Sequence, residues 1–214
     1  MRDTTGRMLH TGDIPHTGDI GPGHIDEVDA ARSREYALLS TLLARAPDGR
    51  LLERLAGLRG DASPLGRAHA AVAEAAGRTS ADDVQREYFD LFIGLGRGEL
   101  LPYESYYLTG FLLDRPLARL RQDLVRLGIE RADGQAEPED HAAILCEVMA
   151  GVLSRRFPVA PVADRELFER HLSPWIGRFF ADLERARAAE FYRHIGALGS
   201  AFMNIETEAF ALSS

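Results

Sequence analysis

The sequence predicts an all-α protein, a single helical globule of about nine to ten helices in two sub-parts joined by a hinge loop. Three observations predict it. Ala and Leu supply 58 of the 214 residues against 17 for Val and Ile, a balance that favours helix over strand on propensity. Apolar residues recur at spacings of three and four, the helical period, and not at two. Cap residues, prolines and glycines stand at the ends of those stripes.

Taken in order, residues 1–25 read as a flexible tail. His-Thr-Gly-Asp-Ile occurs at 10–14 and again at 16–20, among Gly and Pro and without a periodic apolar face. His10, Asp13, His16, Asp19 and His24 are metal-ligand types, but a metal site needs ordered geometry that such a tail does not supply. The N-terminal helical part spans 26–127. Leu38, Leu39, Leu42 and Leu43 make a stripe that stops before Pro47; Leu51, Leu52, Leu55 and Leu58 make a second that stops at Gly60. Ser63 followed by Pro64 reads as an N-cap with proline at the first helical position, and Gly77 as the end of that helix. Ser80-Ala-Asp-Asp83 resembles a capping box for a helix carrying Val84, Tyr88, Leu91 and Phe92.

After a loop rich in Gly and Pro, Leu113, Leu117, Leu120, Leu124 and Leu127 alternate spacings of four and three, one long stripe that ends at Gly128. Residues 128–137 are polar and turn-forming and read as the hinge. The C-terminal helical part, 138–214, opens with Pro138 at a helix start and continues past Pro158 and Pro161. It restarts at Ser173-Pro174 and closes with a helix carrying Phe191, Ile195, Leu198, Phe202 and Ile205.

Composition excludes several functions. The formal net charge is −8, and all 25 basic residues are arginine. Without lysine there is no Walker-type phosphate loop, Schiff base or lysine general base. The acidic balance argues against nucleic acid, whose backbone is bound by a surplus of basic side chains. Cys146 is the only cysteine, so there is no disulfide framework or thiolate cluster, and it reads as a buried small hydrophobe. No apolar run approaches the roughly 18 residues needed to span a bilayer, and the first residues lack a signal-peptide hydrophobic region. A cytoplasmic protein without stable membrane insertion is expected.

The chain also lacks the residue patterns of common catalytic centres. None of the seven histidines has Glu three residues before it, which excludes the paired Glu-x-x-His units of a di-iron bundle. His-Glu-x-x-His is absent too. His141 and Cys146 lie about 140° apart around one helix and cannot meet as base and nucleophile. Gly94-Leu-Gly-Arg-Gly98 follows a helix and has no Lys-Ser/Thr after it, so it reads as a loop. Ser154-Arg-Arg-Phe157 reads as a helix end whose arginines complement the dipole. No catalytic residue, metal or cofactor is expected.

Two segments stand out from plain scaffolding. Glu87-Tyr-Phe-Asp-Leu-Phe-Ile-Gly94 and Leu101-Pro-Tyr-Glu-Ser-Tyr-Tyr-Leu108 put aromatic rings and carboxylates around an irregular loop. Such a surface suits an apolar peptide with one or two cations, through burial, cation–π contact and ion pairing. Glu137-Pro-Glu-Asp-His141 puts carboxylates at a helix start, where the dipole favours them. His141 shares a face with Leu145, Val148 and Val152, the pattern of a core histidine.

In this order, Tyr88-x-x-Leu-Phe92 with Gly94, Pro102-Tyr-Glu-Ser105 with Tyr107-Leu108, and Glu137-Pro-Glu-Asp-His141 resemble the TorD/DmsD/NarJ family of redox-enzyme maturation chaperones, nearer its TorD branch. The resemblance covers roughly residues 34–210. It implies a cytoplasmic chaperone without catalytic turnover, a monomer or dimer. Its partners would be the twin-arginine signal peptide and the apo form of a molybdoenzyme catalytic subunit, held until the cofactor is inserted and then released for export. Matched motif by motif, the peptide-binding surface would comprise Tyr88, Leu91, Phe92, Pro102, Tyr103, Glu104, Ser105, Tyr107, Glu137, Asp140 and His141. The chain departs from the usual pattern in having Leu95 after Gly94 and Leu101 before Pro102, which bears on loop shape and client choice. The expected mechanism lays the apolar stretch of the peptide in a groove between the two parts while its arginines meet Glu104 and Asp140 at a rim. Two alternatives differ in class: a nucleotide-binding or enzymatic helical protein using the His141 cluster, and a helical adaptor that dimerises by exchange across 128–137.

Overall fold

The computed structural model describes residues 25–131, 136–157, 159–160 and 162–212. The tail repeat, with His10, Asp13, His16, Asp19 and His24, lies outside the described residues, as does the middle of the expected hinge. Among the described residues there are ten α-helices and no strand: α1 (Glu27–Ala44), α2 (Gly49–Ala56), α3 (Pro64–Ala76), α4 (Ala81–Tyr88), α5 (Glu104–Thr109), α6 (Arg115–Arg126), α7 (Ala142–Leu153), α8 (Ala163–Leu167), α9 (Ile176–Arg185) and α10 (Tyr192–Leu212). Single π-helical turns extend α4 over Phe89–Ile93 and α8 over Phe168–Leu172.

Most helix starts are set by a side chain that accepts an otherwise unpaired N–H of the first turn. Asp26 receives the N–H of Val28 at 3.0 Å, and Asp48 that of Leu51 at 2.8 Å. Ser63 receives Gly66 N–H at 3.0 Å, with Pro64 at the first helical position and Gly77 at the end, as its sequence predicts. Ser80 receives Asp83 N–H at 3.2 Å. The return half of a capping box differs: the Asp83 carboxylate accepts from the Ser80 hydroxyl at 2.5 Å.

α1 packs along α7, and α10 packs on α9, α3 and α1. The buried core runs continuously from Tyr36 and Leu39 of α1 through Val72 and Leu120 to Met149, Phe180 and Phe202. The described helices of the two expected parts therefore share one core. α10 approaches α9 closely because Gly196 and Gly199 face it. A Cβ on Gly199 would lie 2.2 Å from the Phe180 ring, and one on Gly196 2.5 Å from the Glu184 backbone nitrogen.

Several element boundaries differ from the sequence reading. Leu113 is not part of the α6 stripe: it precedes the Asp114 cap, has φ +59° and is 67% exposed. The carboxylate that accepts Arg115 N–H at 2.7 Å fixes the helix start after it. The loop expected at 101–108 contains α5. Pro138 lies ahead of α7, whose cap is His141. Ser173-Pro174 starts no helix: α9 begins at Ile176, after Trp175, a fully buried residue whose indole N–H donates to His171 O at 2.7 Å. Ile205 is 42% exposed. The inward face of α10 turns instead through Gly199, Met203 and Glu206.

Glu206 is buried and ionically paired. It receives Arg32 Nε at 2.7 Å, Arg32 Nη2 at 2.8 Å and the Tyr36 hydroxyl at 2.9 Å, while Arg32 Nη1 also reaches Asp29 and Asp164, each at 3.0 Å. This network pins α10 to α1 and to α8. No helix among the described residues is long and apolar enough to cross a membrane.

Candidate peptide-binding site

The first motif segment holds the start of α10. Tyr88 donates its hydroxyl to Leu43 O at 3.1 Å, and its ring meets Phe92 and Tyr192 at 5.0 and 5.8 Å. Leu91 is fully buried. Glu87 accepts the N–H groups of Glu190, Phe191 and Tyr192 at 2.9, 3.0 and 2.6 Å, an anion against the positive end of a helix. Gly94 has φ +61°, and a Cβ there would lie 2.2 Å from Arg97 O, so the Gly94–Gly98 loop folds tightly on itself. It returns the chain so that Leu100 N–H reaches Leu91 O at 2.8 Å.

The second and third segments are clasped to each other. Tyr103 and His141 form an isolated antiparallel bridge. Glu104 N–H donates to Asp140 O at 3.0 Å, and Ala142 N–H to Pro102 O at 2.8 Å. The Asp140 carboxylate accepts Ser105 N–H at 2.9 Å in the first turn of α5, and His141 Nδ1 accepts Ala143 N–H at 3.0 Å in the first turn of α7. One acidic pentapeptide thus caps its own helix and the short helix opposite. Across the bridge the Tyr103 ring stands edge-on to His141 at 5.0 Å, and its hydroxyl donates to Glu137 at 2.5 Å.

The electrostatics follow from burial. Burial lowers the His141 pKa to about 4 against the opposing pull of Glu137 and Asp140, so the imidazole is neutral and its Nδ1 is free of a proton, as its acceptor role requires. Burial, with the Glu137 charge, raises the Tyr88 hydroxyl to about 12. Burial also pushes the Cys146 thiol up to about 12, consistent with an inert core residue.

Behind the clasp lies a buried ionic triad. His171 Nδ1 faces Glu104 Oε1 at 3.3 Å, and its Nε2 faces Asp123 Oδ2 at 2.8 Å. All three residues are buried. Burial opposes charge on His171, but its bonds to Glu104 and Asp123 outweigh that and hold its pKa above the usual value. Arg126 and Arg170 also reach Asp123, at 3.3 and 3.1 Å. Sequence reasoning missed His171 and Asp123. Asp123 did carry a signal: it interrupts the apolar face between Leu120 and Leu124, where a carboxylate needs a partner.

The structure thus brings Pro102, Tyr103, Glu104 and Ser105 together with Glu137, Asp140 and His141. Tyr88, Leu91 and Phe92 sit beside them against α1 and α10. Tyr107 turns away to α9, donating to Asp182 at 3.0 Å with its ring 5.4 Å from Trp175. Glu104 and Asp140 correct the expected mechanism. They are 2% and 0% exposed, so neither forms an exposed rim for an incoming arginine. Their work is internal, because the first helical turn of α5 and the imidazole of His171 claim them.

A groove borders the clasp between the end of α6 and the start of α7. Leu124, Ile129, Ile144 and Val148 are among its lining, with Glu130, Glu139 and Glu147 as well as Arg131 and Arg156 at its sides, around a cavity of about 220 Å³. A second cavity of about 350 Å³ shares Leu124, Ile129 and Glu139 and extends it along α6. Glu139 is held by two bonds from Arg121 at 2.9 and 2.7 Å. Among the described residues no group of three or more His, Cys, Asp or Glu is placed to hold a metal ion.

An all-helical protein whose helix-capping pentapeptide locks onto a Pro-Tyr-Glu-Ser turn belongs to a definable class, and comparison with known proteins says which. The family model described as nitrate reductase delta subunit matches residues 58–181, and the chain belongs to this TorD/NarJ family. The chaperone protein TorD of Vibrio cholerae (classical Ogawa 395 strain) is 28% identical over 130 residues, 56% of this chain and 59% of that protein, so the chain spans about three fifths of that relative. TorD of Shewanella loihica is 25% identical over 210 residues, 86% of this chain and 96% of that protein. A solved structure from Archaeoglobus fulgidus, described as a redox enzyme maturation protein, shares the fold. Its TM-score is 0.52 at 18% identity, covering 90% of this chain and 99% of the other.

Proposed function

We propose that this protein is a cytoplasmic maturation chaperone for a redox enzyme, with no catalytic turnover, that binds the twin-arginine signal peptide of an apo-molybdoenzyme until its cofactor is in place. The observation that carries the reading is the clasp, in which the two motif segments Pro102–Ser105 and Glu137–His141 form one hydrogen-bonded unit beside a groove with an apolar floor. Family membership and the TorD relatives support it.

In this reading the eleven residues expected from the motifs divide by exposure. Leu91, Pro102, Glu104, Ser105, Asp140 and His141 are buried and position the surface. Tyr88, Phe92, Tyr103 and Tyr107 are half-buried and offer ring faces, and Glu137 is exposed. The apolar stretch of the peptide lies as a helix along Ile129, Ile144 and Val148. Its arginines pair with Glu137, Glu130 and Glu147, exchanging with arginines of the chain that already reach these walls, such as Arg156 at Glu147.

Calorimetric titration of a synthetic peptide with two consecutive arginines and an apolar stretch tests this. One-to-one binding is expected, weakening as salt is raised and falling about tenfold in an Ile144→Ser variant, where part of the apolar floor is lost. Absence of binding, or affinity unchanged both in Ile144→Ser and in a Glu137→Gln, Glu147→Gln double variant, would overturn it.

A further inference from the structure

The last turn of α5 and the segment after it present an apolar surface that the peptide site does not use. Leu108 is 40% exposed, Phe111 72%, Leu112 46% and Leu113 67%: four large apolar side chains facing water within six residues. Isolated exposed leucines are ordinary, whereas a contiguous cluster marks an interaction surface. Its backbone is set to display it. Gly110, at φ +82°, ends α5, and Leu113 itself holds the left-handed conformation at φ +59°, which an L residue with a side chain rarely adopts.

The surroundings of this patch are cationic. Arg115 and Arg119 follow it one turn apart on the exposed side of α6. Arg97 donates to the Tyr106 hydroxyl at 2.6 Å and lies 5.2 Å over that ring, and Arg178 lies 5.8 Å over Tyr107 while donating to Tyr107 O at 3.0 Å. The carboxylates nearby are engaged within the chain: Asp114 caps α6, and Asp182 accepts from Tyr107. An apolar centre rimmed by guanidinium groups complements an apolar segment rimmed by carboxylates, and it repels a peptide that carries arginines.

We infer that Leu108–Leu113 with its arginine rim is a second docking surface, for an acidic amphipathic segment of a partner protein. It is separate from the groove proposed for the signal peptide and does not depend on that reading.

The test uses the full chain and two labelled synthetic helical peptides with the same Leu/Phe face, one flanked by Glu and one by Arg, read by fluorescence anisotropy. The Glu-flanked peptide should bind at least about tenfold more tightly, with the difference shrinking as salt rises. A Phe111→Ser, Leu113→Gly variant should lose about tenfold in its affinity for that peptide, and so should an Arg115→Glu, Arg119→Glu variant. Both should keep wild-type circular dichroism, because all four positions are exposed, and both should keep wild-type affinity for the arginine-bearing signal peptide. Equal affinity for the two peptides, no binding of either, or full binding by the variants would overturn the inference. So would a concentration-dependent dimer in light scattering that the Phe111→Ser, Leu113→Gly variant abolishes, because the surface would then join two copies of this chain.

Discussion

The carboxylate of Asp140 accepts the backbone N–H of Ser105 at 2.9 Å, while the carbonyl of Asp140 accepts the N–H of Glu104 at 3.0 Å. One residue ahead of α7 thereby holds the first turn of α5 across a gap of some thirty-five positions in sequence. Replacing it with alanine removes the acceptor and leaves a buried N–H unpaired. Asp140→Ala should cost about 1–3 kcal/mol in urea unfolding. Asp140→Asn keeps an acceptor and should cost less.

Two buried histidines give stability opposite pH dependences. His171 has a raised folded-state pKa, so its contribution is full below its ordinary value of 6.5 and is lost as pH rises through the raised value. His141 is lowered to about 4, so its contribution is full above 6.5 and is lost as pH falls from there towards about 4. Urea unfolding across that range should show a maximum between the two limbs. His171→Asn should flatten the alkaline limb and His141→Asn the acid limb, each leaving the other in place.

Glu206 joins Arg32 and Tyr36 in the interior. Removing one partner of a buried pair leaves the other charge uncompensated, so Glu206→Ala should destabilise by about 3–5 kcal/mol. The exposed Arg78–Glu74 pair is the control: Arg78→Ala should leave the unfolding midpoint nearly unchanged.

Close approach of α9 and α10 depends on missing Cβ atoms. Gly196→Ala sets a methyl against the Glu184 backbone, which has no rotamer with which to yield, and should cost about 1–3 kcal/mol in thermal or urea unfolding. Gly177, in the first turn of α9, has nothing within 4 Å of a Cβ, and Gly177→Ala should not destabilise.

The helices were legible in the sequence where local rules act alone. Ser63 and Ser80 cap from the position next to their helix, and apolar spacing shows the buried faces of α1, α2 and α6. What was not legible depends on partners far away in the chain. Glu104 and Asp140 read as rim carboxylates because acidic side chains are usually solvated, yet each is buried by a segment distant in sequence, and His171 comes to Glu104 from 67 positions on. Leu113 reads as a stripe residue because its spacing is helical. The cap at Asp114 overrides that spacing and turns Leu113 out to solvent.

Hydrogen exchange with mass spectrometry, run on the full chain with and without the twin-arginine peptide, tests the central claim most directly. Peptide seated beside the clasp should slow exchange at the groove-lining segments 124–131 and 142–148 and leave 108–113 at its free rate. Protection confined to 108–113, or no protection in either groove segment at saturating peptide, would contradict the account.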